Sequence, residues 1–230
     1  MKITIIHGQS HKQTSYHIGK YLLEALGADN EITEYFLPRD LNTFCIGCYQ
    51  CIIKDETHCP HYDKISVIKA SMEEAELIIF TSPVYCMHVS APMKSLLDHC
   101  FQYYMIHQPK AEMFHKKAVI MTVGAGVGMK KAAKDIKDSL IYWGISQIYT
   151  YTLVGQAMTF DDINDERREK IRADIQKLAD KVKHGQLKVS LKTKSIFYIM
   201  RMMQRKGWTT PQDKEYWQQK GWLLKERPWR

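Results

Sequence analysis

The stretch KITIIHGQSHKQTSYHIGKYLLEALG, residues 2–27, decides the fold. It opens on a short β-branched apolar run that ends at Gly8, the pattern of a buried strand. From Thr14 onward the apolar residues fall at Ile18, Tyr21, Leu22 and Ala25, which is helical spacing, and Gly27 stops the helix. Between the two lies a loop rich in hydroxyl residues with one lysine.

The same alternation continues outward from this unit. EITEYFLP (31–38) reads as a second strand and Asp63–Glu74 as a second helix. ELIIFTSP (76–83) is a third strand, and residues 92–103 follow as a helix with Met93, Leu96, Leu97 and Phe101 facing inward. KKAVIMTVG (116–124), a helix over 129–143, SQIYTYTLV (146–154) and a charged helix over 164–182 complete the series. Strands alternating with helices pair in parallel through right-handed crossovers, with helices on both faces of the sheet. The strands are nearly continuous apolar runs, as a doubly covered sheet requires. The expectation is an α/β, flavodoxin-like three-layer sandwich with a five-stranded parallel sheet in the order 2-1-3-4-5.

Residues 185–230 leave this pattern. A helix over 195–205 is followed by Trp208, Trp217, Trp222 and Trp229, four of the chain's five tryptophans. Two parts are therefore expected: a main domain over 1–184 and a helical, Trp-rich, basic extension over 185–230. The extension either packs on its own domain or reaches over a ligand or a second subunit. The net charge of +8 also divides unevenly: residues 181–230 hold 13 Lys or Arg against 3 Asp or Glu, whereas residues 1–180 carry 20 basic and 22 acidic groups. No nucleic-acid motif accompanies the basic excess, so nucleic-acid binding is disfavoured. No apolar run approaches the length of a membrane span, and the N-terminus has no secretory pattern. A cytoplasmic location is expected, where thiols stay reduced and clustered cysteines point to metal or redox chemistry.

Ligands of open α/β sheets bind beyond the carboxyl ends of the strands, where the strand order reverses. Three loops meet there. HGQSHKQTS (7–15) joins strand to helix, offering Ser10, Thr14 and Ser15 hydroxyls, the Lys12 charge and the amides of a helix start, which suit a phosphate. The alternative is that Thr14 or Ser15 simply caps the helix. TSPVYCMHVSAP (81–92) brings Tyr85, able to stack on a flat ring, and backbone groups from Val84 to His88; simple packing of Tyr85 is the competing reading. VGAGVG (123–128) permits close backbone approach or is only a tight turn. Neither G-x-G-x-x-G nor a P-loop is present, which disfavours dinucleotide and NTPase sites. A phosphate cradle, an aromatic loop and a glycine loop at one edge fit a mononucleotide with a large planar ring, and FMN is the natural candidate.

On these residues the chain resembles the flavodoxin-like NAD(P)H-dependent FMN reductases and the related iron–sulfur flavoproteins. HGQSHKQTSYHIGKYL is similar to their phosphate loop, with Gln9 and His11 in place of the commoner Ser and Arg. The segment 76–100, with S-P-V-Y and then a small–Pro–Met–Lys helix start, is similar to their most recognisable stretch. The resemblance implies phosphate contacts at Ser10, Lys12, Thr14 and Ser15, with Gln9 at the ribityl chain or phosphate. It implies ring contacts from Pro83, Val84, Tyr85, Met87 and His88, and from Gly124, Ala125 and Gly126. It further implies an enzyme passing hydride from NAD(P)H to bound flavin and then to a quinone, flavin or other acceptor. The chemistry lies on the flavin, so no catalytic residue is named. A homodimer is expected from the resemblance and the aromatic extension.

FCIGCYQCIIKDETHCP (44–60) places Cys45, Cys48, Cys51 and Cys59 in a C-x2-C-x2-C-x7-C pattern that resembles the iron–sulfur flavoprotein motif. Three outcomes stay open: a [4Fe–4S] cluster in an electron-transfer protein with a protein redox partner; zinc, with His58 and His61 as further ligands; or thiols that are structural, redox-active or part of a dimer-forming loop. The loop follows the second strand and is expected on the same sheet edge as the flavin.

Overall fold

Each central strand sends alternate side chains to opposite faces, and this alternation builds two cores. In the computed structural model, which describes residues 1–155 and 159–230, β1 (Lys2–His7), β3 (Leu77–Tyr85) and β5 (Lys117–Gly124) lie side by side. Ile3, Ile5, Leu77, Ile79, Val119 and Met121 face α1 (Thr14–Leu26) and α6 (Asp165–His184). Ile6, Ile78, Phe80, Ala118 and Ile120 face α3 (Tyr62–Glu74), α4 (Ala91–His99) and α5 (Met129–Trp143). With β2 (Glu31–Phe36) and β6 (Gln147–Val154), the parallel order is β2-β1-β3-β5-β6. This is the expected 2-1-3-4-5 sheet within a three-layer sandwich.

Several local features differ from the expectation. A sixth, two-residue strand, β4 (His88–Val89), folds back antiparallel on the end of β3. The turn between them holds Cys86 and Met87 at φ 49° and 73°, the left-handed pair that a two-residue hairpin needs. Neither residue is glycine or asparagine, so the turn carries no sequence signal. The helix expected over 92–103 ends at His99, and Phe101–Tyr103 continue as a single 3-10 turn. A short helix, α2 (Gln50–Ile53), forms inside the cysteine stretch.

The extension folds as α7 (Leu191–Lys206) and α8 (Pro211–Gln219) and packs on its own domain. Phe197, Trp217 and Trp222 join Met105 and Phe114 in a third apolar cluster. Polar bonds fix the docking: Trp217 Nε1 donates to the His107 carbonyl at 2.8 Å, Gln204 Nε2 to the Ile106 carbonyl at 2.7 Å, and His107 pairs with the buried Asp213 at 2.9 Å.

The carboxyl ends of β1, β2 and β3 are tied by a buried polar chain. His7 lies 2.8 Å from Thr81 Oγ1 through Nδ1 and 2.9 Å from Glu34 Oε1 through Nε2. Its ring stacks on Phe36 at 4.7 Å. The hydrogen bond from His7 holds the Glu34 carboxyl below its usual range, against the opposing effect of burial. A depressed carboxyl contributes stability above its unfolded-state pKa and loses it as pH falls through the folded-state value. Glu34→Gln is therefore expected to cost about 1–2 kcal/mol near neutral pH. The gap to wild type should close on acidification, as read by urea unfolding across pH.

Candidate functional site

The first loop is held by its backbone. Gly8 N–H donates to Thr81 O at 2.7 Å, and the Ser90 hydroxyl donates to Gly8 O. A Cβ at residue 8 would stand 2.8 Å from Ser90 Oγ and 3.1 Å from Thr81 O, so only glycine fits. Ser90 also caps α4 by accepting from Met93 N, and its own N–H donates to Ser82 Oγ on β3 at 3.2 Å. The loops after β1 and β3 are thereby clasped to each other.

At α1, the N-cap residue is Gln13, and its side chain makes no capping bond. Thr14 and Ser15 lie inside the first turn, buried, so neither is the cap. Side chains of Ser, Asn or Thr cap α4, α6, α7 and α8, whereas α2, α3 and α5, like α1, have no side-chain cap. The Tyr16 and His17 amides already donate to Gln13 O at 2.9 and 3.1 Å, which leaves the Thr14 and Ser15 amides for an external acceptor at the positive end of the helix dipole. Gln9 spans the gap to the second loop: its Nε2 donates to Ser15 Oγ at 2.8 Å, and Tyr85 OH donates to its Oε1 at 3.2 Å. Ser10 donates to Leu37 O at 3.3 Å, and exposed Lys12 sits over the Tyr16 and Phe36 rings at 5.4 and 5.8 Å.

Tyr85 and Met87 are exposed on the β3–β4 hairpin, with Pro83 and Val84 half-buried behind them. The third loop closes on this hairpin. A Cβ at Gly124 would meet Val84 at 3.2 Å, and one at Gly128 would meet Val84 at 2.8 Å and Met87 at 3.1 Å. Ala125 and Gly126 remain exposed, with open space beside Gly126. Left-handed Cys86 and Met87 cost about 1–3 kcal/mol each, strain that a framework tolerates where the loop geometry is used. The structure thus gathers Gln9, Ser15, Val84, Tyr85 and Gly124 at one edge. The His88 side chain does not join them: its Nδ1 sits 2.9 Å from Asp135 on α5, so only its backbone faces the hairpin. The sequence reading missed His7, Thr81 and Ser90, whose only signal was polar residues at the ends of apolar strands.

The cysteine stretch takes a different position from the one expected. Its chain leaves the carboxyl edge but descends along α4, where Ser95 donates to Thr43 O at 2.7 Å. Cys45, Cys48, Cys51 and Cys59 line one recess of about 240 Å³ with His61, Asp98, His99 and Phe101, at the far end of α4. Nine residues of helix separate that end from Ser90, a rise of about 13 Å. All six cysteines carry free thiols. Among the described residues, no group of three His, Cys, Asp or Glu is drawn together to hold a metal ion. His58 pairs with Asp55 at 3.1 Å and does not line the recess, which removes it from the zinc set. His99 donates from Nδ1 to Ser95 O at 2.8 Å, so its neutral Nε2 accepts from His61 Nδ1 at 3.0 Å. Burial keeps His99 below the usual imidazole range.

Charge fastens the loop to the domain. Lys69, only 5 % exposed, reaches Glu56 at 3.5 Å, and Lys110 reaches Glu56 at 3.1 Å and Glu73 at 3.5 Å. Burial works to raise the Glu56 carboxyl, but Lys110 and Lys69 outweigh it and hold it below the ordinary range. Burial raises the Cys51 thiol, partly offset by the charge of Lys69. Cys100, fully buried, is pushed up to about 12 by the same cause and is inert as a thiolate source.

A parallel sheet whose carboxyl edge carries an uncapped helix start, an aromatic hairpin and a glycine loop defines a flavodoxin-like, mononucleotide-binding protein. Residues 1–159 match the NADPH-dependent FMN reductase family. The chain belongs to that family and is an FMN-dependent NAD(P)H oxidoreductase. It is 24 % identical over 199 residues to an iron–sulfur flavoprotein of Archaeoglobus fulgidus, an alignment covering 84 % of this chain and 86 % of that one. An iron–sulfur flavoprotein of Methanocaldococcus jannaschii is 41 % identical over 78 residues, covering 33 % of this chain and 39 % of its own. Among solved structures, the fold is shared with an NAD(P)H:quinone oxidoreductase from Methanothermobacter marburgensis, at TM-score 0.60 and 15 % identity over 81 % of this chain and 98 % of that one. It is shared too with an FMN-dependent NADH-azoreductase from Bacillus anthracis in complex with FMN, at TM-score 0.58 and 11 % identity over 79 % and 99 %.

Proposed function

We propose that the carboxyl edge of the sheet is the FMN site. Ser10, Lys12, Thr14 and Ser15 serve the phosphate, and Gln9 serves the ribityl chain or phosphate. Pro83, Val84, Tyr85, Met87 and the His88 backbone, with Gly124, Ala125 and Gly126, surround the ring. The observation that carries this reading is the uncapped start of α1 beside the Tyr85–Gln9–Ser15 bridge, which presents anion donors and an aromatic face a few residues apart. FMN, when bound, supplies the hydride-accepting chemistry. The chain's own task is to bind and orient it: the Gly8 clasp sets the phosphate loop, and the hairpin sets the ring.

Residues 1–184 form the FMN domain in this proposal, and 185–230 an extension that buttresses it. The reading includes a cytoplasmic homodimer acting on a small-molecule acceptor such as a quinone or a flavin. The quinone oxidoreductase and azoreductase that share the fold support an acceptor of this class. Adding FMN to the purified protein should give a bound yellow species absorbing near about 450 nm, which NADPH bleaches under anaerobic conditions. Tyr85→Ala should weaken FMN about 2- to 12-fold in a fluorescence titration, the loss of one aromatic contact. A colourless protein after FMN addition would refute the assignment.

A second reading rests on the cysteine recess. Four thiols around one cavity are the donor set that a thiolate-held cluster uses. Cys45, Cys48, Cys51 and Cys59 would hold a [4Fe–4S] cluster, making the protein an electron-transfer iron–sulfur flavoprotein with a protein redox partner. The Archaeoglobus relative carries that name. Anaerobically purified protein should then contain about four iron and four sulfide per chain. Cys48→Ala should lower both and remove the visible band, whereas an unchanged iron count in the variant would reject the ligand set.

A further inference from the structure

The outward face of α7 has a chemistry that neither the flavin edge nor the cysteine recess uses. Thr193, Phe197 and Gln204 point inward and are buried. On the opposite side Leu191, Tyr198, Ile199 and Met202 are exposed, at positions i, i+7, i+8 and i+11, one stripe of the helix. Leu191 is 81 % exposed, and Trp208, two residues past the helix end, is 62 % exposed. Lys192, Lys194, Arg205 and Lys206 flank the stripe, and α7 carries no acidic residue. Tyr198, Arg201, Met202, Arg205 and Lys206 line a shallow groove of about 280 Å³.

We propose that this face docks the enzyme on a bilayer surface carrying anionic lipid headgroups. An exposed apolar stripe edged by Lys and Arg is the pattern of a helix lying in the membrane interface. Tyr and Trp favour that zone because one end of the side chain is apolar and the other polar. The long Lys and Arg stems cover apolar surface while their charges stay at the headgroups. Among the described residues no helix is long and apolar enough to cross a membrane, so the helix lies on the surface rather than across it.

Charge decides against the other occupants. Residues 181–230 carry 13 Lys or Arg against 3 Asp or Glu, so a second copy of this face would meet like charge across a two-fold axis. A nucleic acid would match the charge but leave the apolar stripe facing phosphate. The helix is already folded and anchored through Trp217, Gln204 and Asp213, so docking needs no ordering of the segment. This inference does not depend on the identity of the electron acceptor.

The test is flotation of the full-length, FMN-loaded protein with vesicles of phosphatidylcholine alone or mixed with phosphatidylglycerol. Binding is expected to the mixed vesicles, to weaken as salt is raised, and to be near background with phosphatidylcholine. Removing two charges with Lys192→Ala and Lys206→Ala should lower the partition coefficient about 20- to 30-fold. Ile199→Ser with Met202→Ser should lower it about tenfold or more, with FMN content and circular dichroism unchanged. Trp208 emission should shift to the blue on binding, and the shift should be absent in Trp208→Phe. Background binding to both vesicle types would overturn the proposal. So would mixed-vesicle binding that ignores the apolar substitutions, tighter retention on single-stranded DNA than on vesicles, or a stable dimer that Ile199→Lys dissolves.

Discussion

The edge of this sheet depends on the backbone of Gly8. Its N–H is taken by Thr81 within β3 and its carbonyl by the Ser90 hydroxyl at the start of α4, so the loop after the first strand is held both to the third strand and to the segment that follows it. A side chain at this position would fill the space those bonds need. Net hydrogen bonds of this kind contribute about 1 kcal/mol each, but an unmade one in a buried setting costs more. The uncapped helix start and the aromatic hairpin face one another because of that clasp, and the His7–Glu34–Thr81 chain holds the neighbouring strand ends behind it.

The second constraint is electrostatic and lies at the other end of α4. Glu56, inside the cysteine stretch, is the counter-charge for a lysine on α3 and another at residue 110. Glu56 is only half-buried, but removing it would leave the buried Lys69 without its carboxylate, an unfavourable change. The recess is therefore part of the rigid domain although its rim, with Phe44, Ile46 and Tyr49, is exposed. The extension adds to this rigidity, because the same 101–110 segment that meets the cysteine loop receives Trp217 and Asp213.

Much of this was legible in the sequence because the apolar runs at 3–6, 77–80 and 118–121 are buried on both faces and leave no other arrangement. The helix over Met129–Trp143 was bounded by two glycines, both of which take positive φ. The three edge loops were legible for the same reason: strand ends and helix starts locate them. What stayed hidden depends on contacts distant in sequence. The Cys86–Met87 hairpin has no turn residue to announce it. The turn of His88 toward Asp135 needs the neighbouring helix in place. The descent of the cysteine stretch follows from Ser95 and Lys69, which no local pattern connects to it.

The most direct measurement is FMN affinity by calorimetry for the wild type and Gly8→Ala, each checked for folding by far-ultraviolet circular dichroism. The account predicts one FMN per chain for the wild type. The variant should keep its helical spectrum and lose FMN affinity by about tenfold or more, since a Cβ there breaks a clasp of two hydrogen bonds. A folded Gly8→Ala protein that binds FMN as tightly as the wild type would contradict it.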